Sequence, residues 1–171
     1  MSELTTLHEA ITRIISEHMP KVVHVEQFPE LGAEVMTPAL LYGITDMGPG
    51  KDRGEGKTAI IGRFQSCILV EADRPKASLQ GAILAGQVMT VLKDQWWDLD
   101  FVTGPPEQVH AQPEAPTPEL EQFVMWSVQW VQPFELGEFT WPWPDESPSR
   151  PVAPAGEFTS DTGPVYPEGT V

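Results

Sequence analysis

The chain has 171 residues, of which 40% are apolar, and a formal net charge of −15 at pH 7. The length fits one folded domain with an appendage, and the apolar content is sufficient for a hydrophobic core. The charge is uneven, because residues 1–93 carry 9 basic and 11 acidic residues whereas residues 94–171 carry 1 and 14. Such an acidic surface repels phosphate backbones and anionic lipids, which argues against a protein that grips nucleic acid or a membrane surface.

Two absences in the sequence narrow the class of protein further. No stretch approaches the roughly 18 consecutive apolar residues of a membrane span, and the first residues lack the basic start and apolar run of a secretory signal. The single cysteine, Cys67, excludes an internal disulfide framework and a multi-cysteine zinc site. We therefore expect a protein that folds in the cytoplasm.

The first part of the chain predicts one helix and three strands. Apolar residues spaced three and four apart predict an amphipathic helix over 4–18. The run from 22 to 28 suggests a short strand, and the mostly apolar run 38–45 suggests a strand buried on both faces. Residues 58–72 are rich in β-branched and aromatic residues and predict a long strand, with Gly62 as a candidate bulge.

A glycine-rich loop over 46–57 connects two of these strands and is predicted to form the tip of a hairpin. The basic residues of the chain are concentrated from Lys51 to Lys76, so any anion contact should come from this region. The loop ends in Gly56-Lys57-Thr58, the last letters of a P-loop. However, Lys51 stands where that motif needs glycine, and a strand follows where a helix is required. The hairpin tip is therefore favoured over a nucleotide site.

A second helix is predicted from Pro75, at the first helical position after a possible Asp73 cap, to about Lys93. Its apolar residues recur at helical spacing, and its small residues would let it lie close against a sheet. The spaced apolar positions are Leu79, Ala82, Ile83, Gly86, Met89 and Leu92, and the small residues are Gly81, Ala82, Ala85 and Gly86.

Two more strands follow this helix. Residues 96–102 have the composition of a strand, while residues 103–118 contain five prolines and are predicted to be mostly connection, with brief pairing at 108–111. The alternation over 123–131 predicts the clearest strand in the chain. This order of elements indicates an α+β fold with a single, mostly antiparallel or mixed sheet flanked by two helices.

The character of the chain changes at Gly137. The last 35 residues hold seven prolines and four glycines without helical or strand periodicity, and they include the aromatic cluster Phe139-Thr-Trp-Pro-Trp143. We predict a ring-forming domain over 1–136 and an extended or disordered Pro-rich arm over 137–171. In polyproline geometry, at about 3.1 Å per residue, the arm could reach about 100 Å, enough to cross a neighbouring subunit.

The residues that could carry chemistry do not form a recognisable constellation. The histidines lack a zinc-binding spacing, the cysteine lies within a strand rather than at a strand-to-helix turn, and the acids near 98 are expected on a solvated face. The residues considered are His8, His18, His24, His110, Cys67, Asp94, Asp98 and Asp100. The sequence therefore predicts no enzyme, no cofactor and no metal.

The strand Trp126-Ser-Val-Gln-Trp130, followed by Pro-Phe-Glu-Leu-Gly137, resembles tail terminator (tail completion) proteins of long-tailed bacteriophages. The opening helix, the strand Thr37-Pro-Ala-Leu-Leu-Tyr and the hairpin around 51–57 contribute to the resemblance, which spans roughly residues 4–137. The arm after Gly137 is not part of the core of that family.

The resemblance implies a structural protein of the virion without an active site. Such a protein forms a hexameric ring that caps the tail tube, stops tube growth and supplies the face that joins the sheath and the head-side connector, while DNA passes through the lumen without specific binding. On this interpretation, we predict interface roles for Lys51, Arg53 and Lys57 at the hairpin tip, and for Trp141 and Trp143 on the arm.

Two alternatives remain open from the sequence. One is a head-side neck or collar subunit of the same particle, in which an extended arm could also wrap around neighbouring subunits. The other is a monomeric adaptor or inhibitor that recruits a partner through its Pro-rich tail by polyproline recognition.

Overall fold

The computed structural model describes residues 2–28 and 35–138, which form a single sheet with two helices. The arm predicted to begin at Gly137 lies almost entirely outside the described residues, as do Trp141 and Trp143. The elements in chain order are α1 (Glu3–His18), β1 (His24–Gln27), β2 (Ala39–Pro49), β3 (Thr58–Glu71), α2 (Ala77–Leu92), β4 (Glu107–Glu114), a short 3₁₀ turn (Pro118–Leu120) and β5 (Phe123–Leu136).

The five strands lie in the order β1-β2-β3-β5-β4. β1 is parallel to β2, and the remaining neighbours pair antiparallel, so the sheet is mixed. This confirms the predicted α+β class with one sheet and two helices. The long pair β3–β5 runs without a register shift from Thr58↔Leu136 to Glu71↔Phe123 and forms the centre of the sheet.

Both helices pack on the same face of the sheet. The hydroxyl of Tyr42 in β2 donates to the carbonyl of His8 in α1 at 2.6 Å, and the indole of Trp126 in β5 lies directly under Gly81 of α2. Because Trp126 pairs with Ile68 and Ile68 with Leu40, two residues before Tyr42, these side chains share one face of the sheet. The core lies between this face and the helices.

The opposite face of the sheet is formed by the alternate residues of β2, β3 and β5, and no helix of the described chain covers it. We call it the helix-free face. Its central members are Leu41, Gln65, Cys67, Leu69, Met125, Ser127 and Gln129.

The hairpin β2–β3 confirms the predicted pairing but has a shorter loop. β2 continues to Pro49, so residues 46–49 belong to the strand and the loop covers only 50–57. The predicted bulge at Gly62 is wrong, because the register shift falls at Thr45, between Ile44 and Asp46. Glycine at position 62 is explained by packing instead, because a Cβ there would lie 2.7 Å from the ring of Phe134.

The predicted strand over 96–102 is wrong. This stretch forms turns, with an isolated bridge at Val102 to Phe134, and the strand that follows α2 is β4. The physical reason is a tertiary network around Trp97, whose indole Nε1 donates to the Gln132 side-chain oxygen at 2.8 Å. Gln132 in turn donates to the carbonyls of Gln95 and Gly104. Trp97 adopts a φ of 57° and is fully buried, a conformation that this network holds in place.

The start and the orientation of α2 also differ from the sequence prediction. The helix begins at Ala77 rather than at Pro75, because residues 71–77 form an additional turn and Lys76 stands at the N-cap with a φ of 54°. Gly81 and Ala85 face the sheet as expected, whereas Gly86 points to solvent. The side that packs on the sheet consists of Ala77, Gly81, Leu84, Ala85, Val88 and Leu92.

Candidate interaction surfaces

The hairpin tip is an ordered loop whose shape depends on two glycines. Gly54 and Gly56 have φ values of 76° and 77°, which glycine adopts without strain. The Asp52 carboxylate accepts a hydrogen bond from the Gly54 amide at 2.7 Å, and the Gly50 amide donates to the carbonyl of Ala59 at 2.9 Å. The strand that begins at Thr58 excludes a P-loop, since that motif requires a helix at this point.

The three predicted interface cations of the tip have different surroundings. Arg53 folds back onto the domain and pairs with Glu135 at 3.2 Å, although its side chain remains half-exposed. Lys51 and Lys57 are exposed and form no ion pair within the described part of the chain. The tip therefore presents two positive charges, Lys51 and Lys57, next to the exposed carboxylates of Asp52 and Glu55, while Arg53 is tied to β5.

A groove of about 400 Å³ separates the base of this loop from the end of β5. Polar and apolar side chains line it, among them Lys51, Arg53, Ile60, Pro133 and Glu135. Since Arg53 spans the groove to reach Glu135, the loop is braced against the domain. An ordered tip of this kind can contact another protein with a smaller loss of conformational entropy than a floppy one.

The second surface is the side of α2 that points away from the sheet. Leu79 and Ile83, one helical turn apart, are 54% and 55% exposed, and Met89 is 39% exposed. Gly86 lies between them, with open space where a side chain would be. We call this surface, formed by Leu79, Ile83, Gly86, Met89 and Thr90, the outer face of α2.

No charged residue and no histidine occurs anywhere in the 16 residues of α2. A surface helix of a globular protein normally places charged residues on its solvent side, whereas the exposed polar residues of α2, Ser78, Gln87 and Thr90, are all uncharged. Because 20% of the whole chain is charged, the lack of charge on an exposed helix is a local feature. Exposed apolar surface of this kind is typical of interaction sites.

The helix-free face of the sheet is not a free surface. Leu69 and Ser127 at its centre are 2% and 0% exposed, so this face is already shielded from solvent within one copy. Leu41, Cys67 and Met125 are half-buried there, and Phe28 lies against Gly43 at its β2 side. At its β4 margin, Glu114 accepts hydrogen bonds from Ser127 at 2.7 Å and from Gln112 at 3.0 Å. Its centre therefore contains apolar and uncharged polar groups, and the carboxylate lies at the edge.

The titratable groups considered in the sequence do not come together. Burial raises the pKa of the Cys67 thiol, and the nearby Glu114 carboxylate adds to this effect, so the thiol is protonated and unactivated at neutral pH. Burial lowers the pKa of His8. Asp98 and Asp100 are exposed in the turns after α2 rather than on a strand. In residues 2–28 and 35–138, no three His, Cys, Asp or Glu side chains form a group that could hold a metal ion.

The sequence contained a signal for the outer face of α2 that helical periodicity alone does not reveal. The predicted apolar positions Leu79, Ile83 and Met89 do recur at helical spacing, but they belong to the solvent side, and a second apolar stripe packs on the sheet. The absence of charge over the whole segment from 77 to 92 is the observation that distinguishes a two-sided helix from an ordinary amphipathic one.

Comparison with known proteins adds no relative, since neither a protein-family model nor a curated protein matches the chain. Within the described ranges, no helix has both the length and the apolar character needed to cross a membrane.

Proposed function

We propose that this protein is a structural subunit of a bacteriophage virion, a tail terminator that assembles as a ring, most simply a hexamer. The ring would cap the tail tube and form the joining face to the sheath and the head-side connector. The observation that carries the proposal is the outer face of α2, an exposed and uncharged helix surface on a strongly acidic chain. A subunit that functions within an assembly can bury such a surface against a neighbouring subunit.

The hairpin tip supplies the contact between rings in this proposal. Lys51 and Lys57 project from an ordered loop, and Arg53 braces that loop through Glu135. The alternating charges of Lys51, Asp52, Glu55 and Lys57 would pair with a complementary pattern on the next ring and fix its register. We therefore expect substitutions of Lys51 and Lys57 to impair joining and to leave ring formation intact.

The arm has a separate role in the proposal. Trp141 and Trp143 are flanked by prolines, and large rigid side chains on a restricted backbone can anchor a contact at a low cost in entropy. We propose that they clamp a neighbouring subunit, the sheath or the neck. The acidic balance of the chain is compatible with a lumen through which DNA slides without specific binding.

A head-side neck or collar subunit would use the same surfaces, so the symmetry of the ring distinguishes it from a tail terminator. A monomeric adaptor requires the Pro-rich tail to be the sole binding determinant. The adaptor is less well supported, because the folded domain itself has an uncovered apolar surface at Leu79 and Ile83.

The experiment that tests the proposal compares self-association of the wild-type chain with an Ile83→Glu variant by analytical ultracentrifugation. A carboxylate in the centre of a subunit contact is left unpaired and desolvated, so we expect self-association to weaken by about tenfold or more. The matched control is Val23→Glu, which places the same charge at a residue with the same 55% exposure, outside α2. Equal effects of the two substitutions would contradict the proposal.

A further inference from the structure

The loop between β2 and β3 is tied to the rest of the domain by one side-chain contact. The strand pairing on its two sides ends at Pro49↔Ile60 and Thr58↔Leu136, and residues 51–57 between them are all exposed. Among the described residues, the pair Arg53–Glu135 at 3.2 Å is the only side-chain hydrogen bond or ion pair that joins residues 51–57 to another element. The position of the loop therefore depends on this pair.

The two members of the pair have very different surroundings. The Glu135 side chain is 7% exposed, whereas that of Arg53 is 54% exposed. The cross-strand partner of Glu135 on β3 is Ala59, so the sheet supplies no cation at this position. A buried carboxylate is unfavourable without a charged or hydrogen-bonding partner. Here the partner comes from an exposed loop rather than from the core.

The groove beside the pair makes a separation of the two charges possible. Arg53 and Glu135 both line this groove of about 400 Å³, and its other side chains include Ile60 and Pro133. When Arg53 moves away, water can enter the groove and hydrate the carboxylate, which offsets the loss of the ion pair. The loop then has two arrangements of its charges, one paired and one hydrated.

We propose that the Arg53–Glu135 pair is a latch that switches the loop between a docked and a released position. In the docked position the guanidinium is held by Glu135. In the released position it extends into solvent with the other exposed charges of the tip, and the Glu135 carboxylate is open to water. A carboxylate on a partner would compete with Glu135 for the same guanidinium and favour the released position. The inference goes beyond the proposed function, because the latch is a property of one chain.

A loop that is fixed by its own backbone is the alternative. Gly54 and Gly56 adopt positive φ values, and Asp52 accepts a hydrogen bond from the Gly54 amide. If these local features alone hold the loop, removal of the charge of Glu135 leaves the loop as protected as before. The latch predicts the opposite result.

Limited proteolysis of the full chain tests the latch, since Lys51, Arg53 and Lys57 give the loop three trypsin sites. Glu135→Gln keeps the shape of the side chain and removes its charge. At low ionic strength, we expect this variant to be cleaved within the loop about tenfold faster than the wild type. In 1 M NaCl, where the Debye length is about 3 Å, the rates of the two chains should converge. Comparison at equal salt cancels the effect of salt on trypsin.

Controls separate release of the loop from unfolding of the domain. Glu55→Gln removes a carboxylate from the same loop without changing the latch, so it should be cleaved at the wild-type rate. Mass spectrometry identifies the bonds that are cut, and early cleavage after Arg13 in α1 or Arg63 in β3 would report unfolding instead. Equal rates for the wild type and Glu135→Gln, or an equal increase in Glu55→Gln, would overturn the inference.

A second measurement changes the exposed member of the pair and does not use trypsin. Arg53→Gln should increase amide hydrogen exchange in residues 51–57 and leave exchange in α1 unchanged. The matched control is Lys57→Gln, which removes a cation of the same loop that forms no ion pair within the described part of the chain. Adding Glu135→Gln to Arg53→Gln should increase exchange no further, because either change alone opens the latch. Unchanged exchange in Arg53→Gln would overturn the inference.

These tests can fail independently of the proposed function, because they use the isolated chain without tail tubes. Rings that cap tubes, together with a loop that Glu135→Gln does not release, would retain the terminator proposal and reject the latch. A released loop in a chain that never caps tubes would retain the latch and reject the terminator role.

Discussion

Two buried tryptophans illustrate how single residues hold this domain together. Trp97 and Trp130 are both fully buried, yet their indole N–H groups differ. The Nε1 of Trp97 donates to Gln132 at 2.8 Å and links the turns after α2 to β5. The Nε1 of Trp130 has no hydrogen-bond partner among the described residues, although its ring stacks on Phe64 with centroids 5.2 Å apart.

The same substitution should therefore have different effects at these two positions. Trp97→Phe leaves the Gln132 oxygen buried without a donor, which should cost about 1–3 kcal/mol more than Trp130→Phe, where no hydrogen bond is lost. Urea unfolding of both variants measures the difference. If Trp130→Phe proved as destabilising as Trp97→Phe, the buried network would not be the reason that residues 96–102 leave the strand conformation.

His8 makes the stability of the domain depend on pH. Burial lowers its pKa below the ordinary value of 6.5, and its Nδ1 lacks a partner among the described residues. The unfolded chain therefore binds this proton at a higher pH than the folded chain. The contribution of neutral His8 to stability is complete above pH 6.5 and is lost as the pH falls through the lowered folded pKa.

We expect a His8→Gln variant to lose less stability than the wild type between pH 7 and pH 5. Thermal unfolding followed by circular dichroism at several pH values measures this. His18→Gln is the control, because His18 is an exposed residue at the end of the same helix. Parallel pH profiles for the wild type and His8→Gln would contradict the assignment.

At the scale of elements, α2 contains two glycines with opposite surroundings. A Cβ at Gly81 would lie 2.7 Å from the indole of Trp126, whereas at Gly86 it would meet nothing within 4 Å. The first glycine allows the helix to approach the sheet, and the second opens a gap on the outer face of α2. Their different roles lead to a prediction about stability.

Gly86→Ala should stabilise the domain by about 0.5–1 kcal/mol through helix propensity alone. Gly81→Ala gains the same propensity but must displace Trp126, and overpacking of this kind typically costs about 1–3 kcal/mol. The free energy of unfolding, measured under conditions where the chain is monomeric, should therefore rank Gly86→Ala above the wild type and Gly81→Ala below Gly86→Ala. The reverse order would show that the packing of α2 is misassigned.

Elements with one buried side were predictable, and elements defined by tertiary contacts were not. The period of Leu7, Ile11 and Ile15 predicted α1, and the alternation around Trp126 and Trp130 predicted β5. The turns at 96–102 were mistaken for a strand, because the composition of this stretch suits a strand and the contact of Trp97 with Gln132 is invisible in the sequence. For the same reason, the sequence could not indicate that Arg53 pairs with Glu135, 82 residues away.

At the scale of the whole molecule, the proposed function depends on the surfaces rather than on the core. The hairpin tip was predictable from its glycines and cations, whereas the helix-free face of the sheet depends on the strand register and could not be predicted. The outer face of α2 lies between these cases, since the lack of charge is visible in the sequence but the side that faces the sheet is not. The roles of Lys51, Lys57, Trp141 and Trp143 at interfaces stay predictions.

Deletion of residues 138–171 tests the predicted boundary between the domain and the arm. We expect the truncated chain to keep a cooperative unfolding transition, because the core residues of the described part of the chain lie before this point, and to assemble more weakly. Circular dichroism with ultracentrifugation measures both properties. A truncated chain that does not fold would place the arm in the core and move the boundary beyond Gly137.

Negative-stain electron microscopy of the full chain at high concentration, with and without the tail-tube protein, tests the terminator role most directly. We expect six-fold rings, or tubes capped by rings, and loss of these rings in the Ile83→Glu variant. Twelve-fold rings would indicate a head-side neck subunit instead. Monomers under both conditions, with uncapped tubes, would contradict the account.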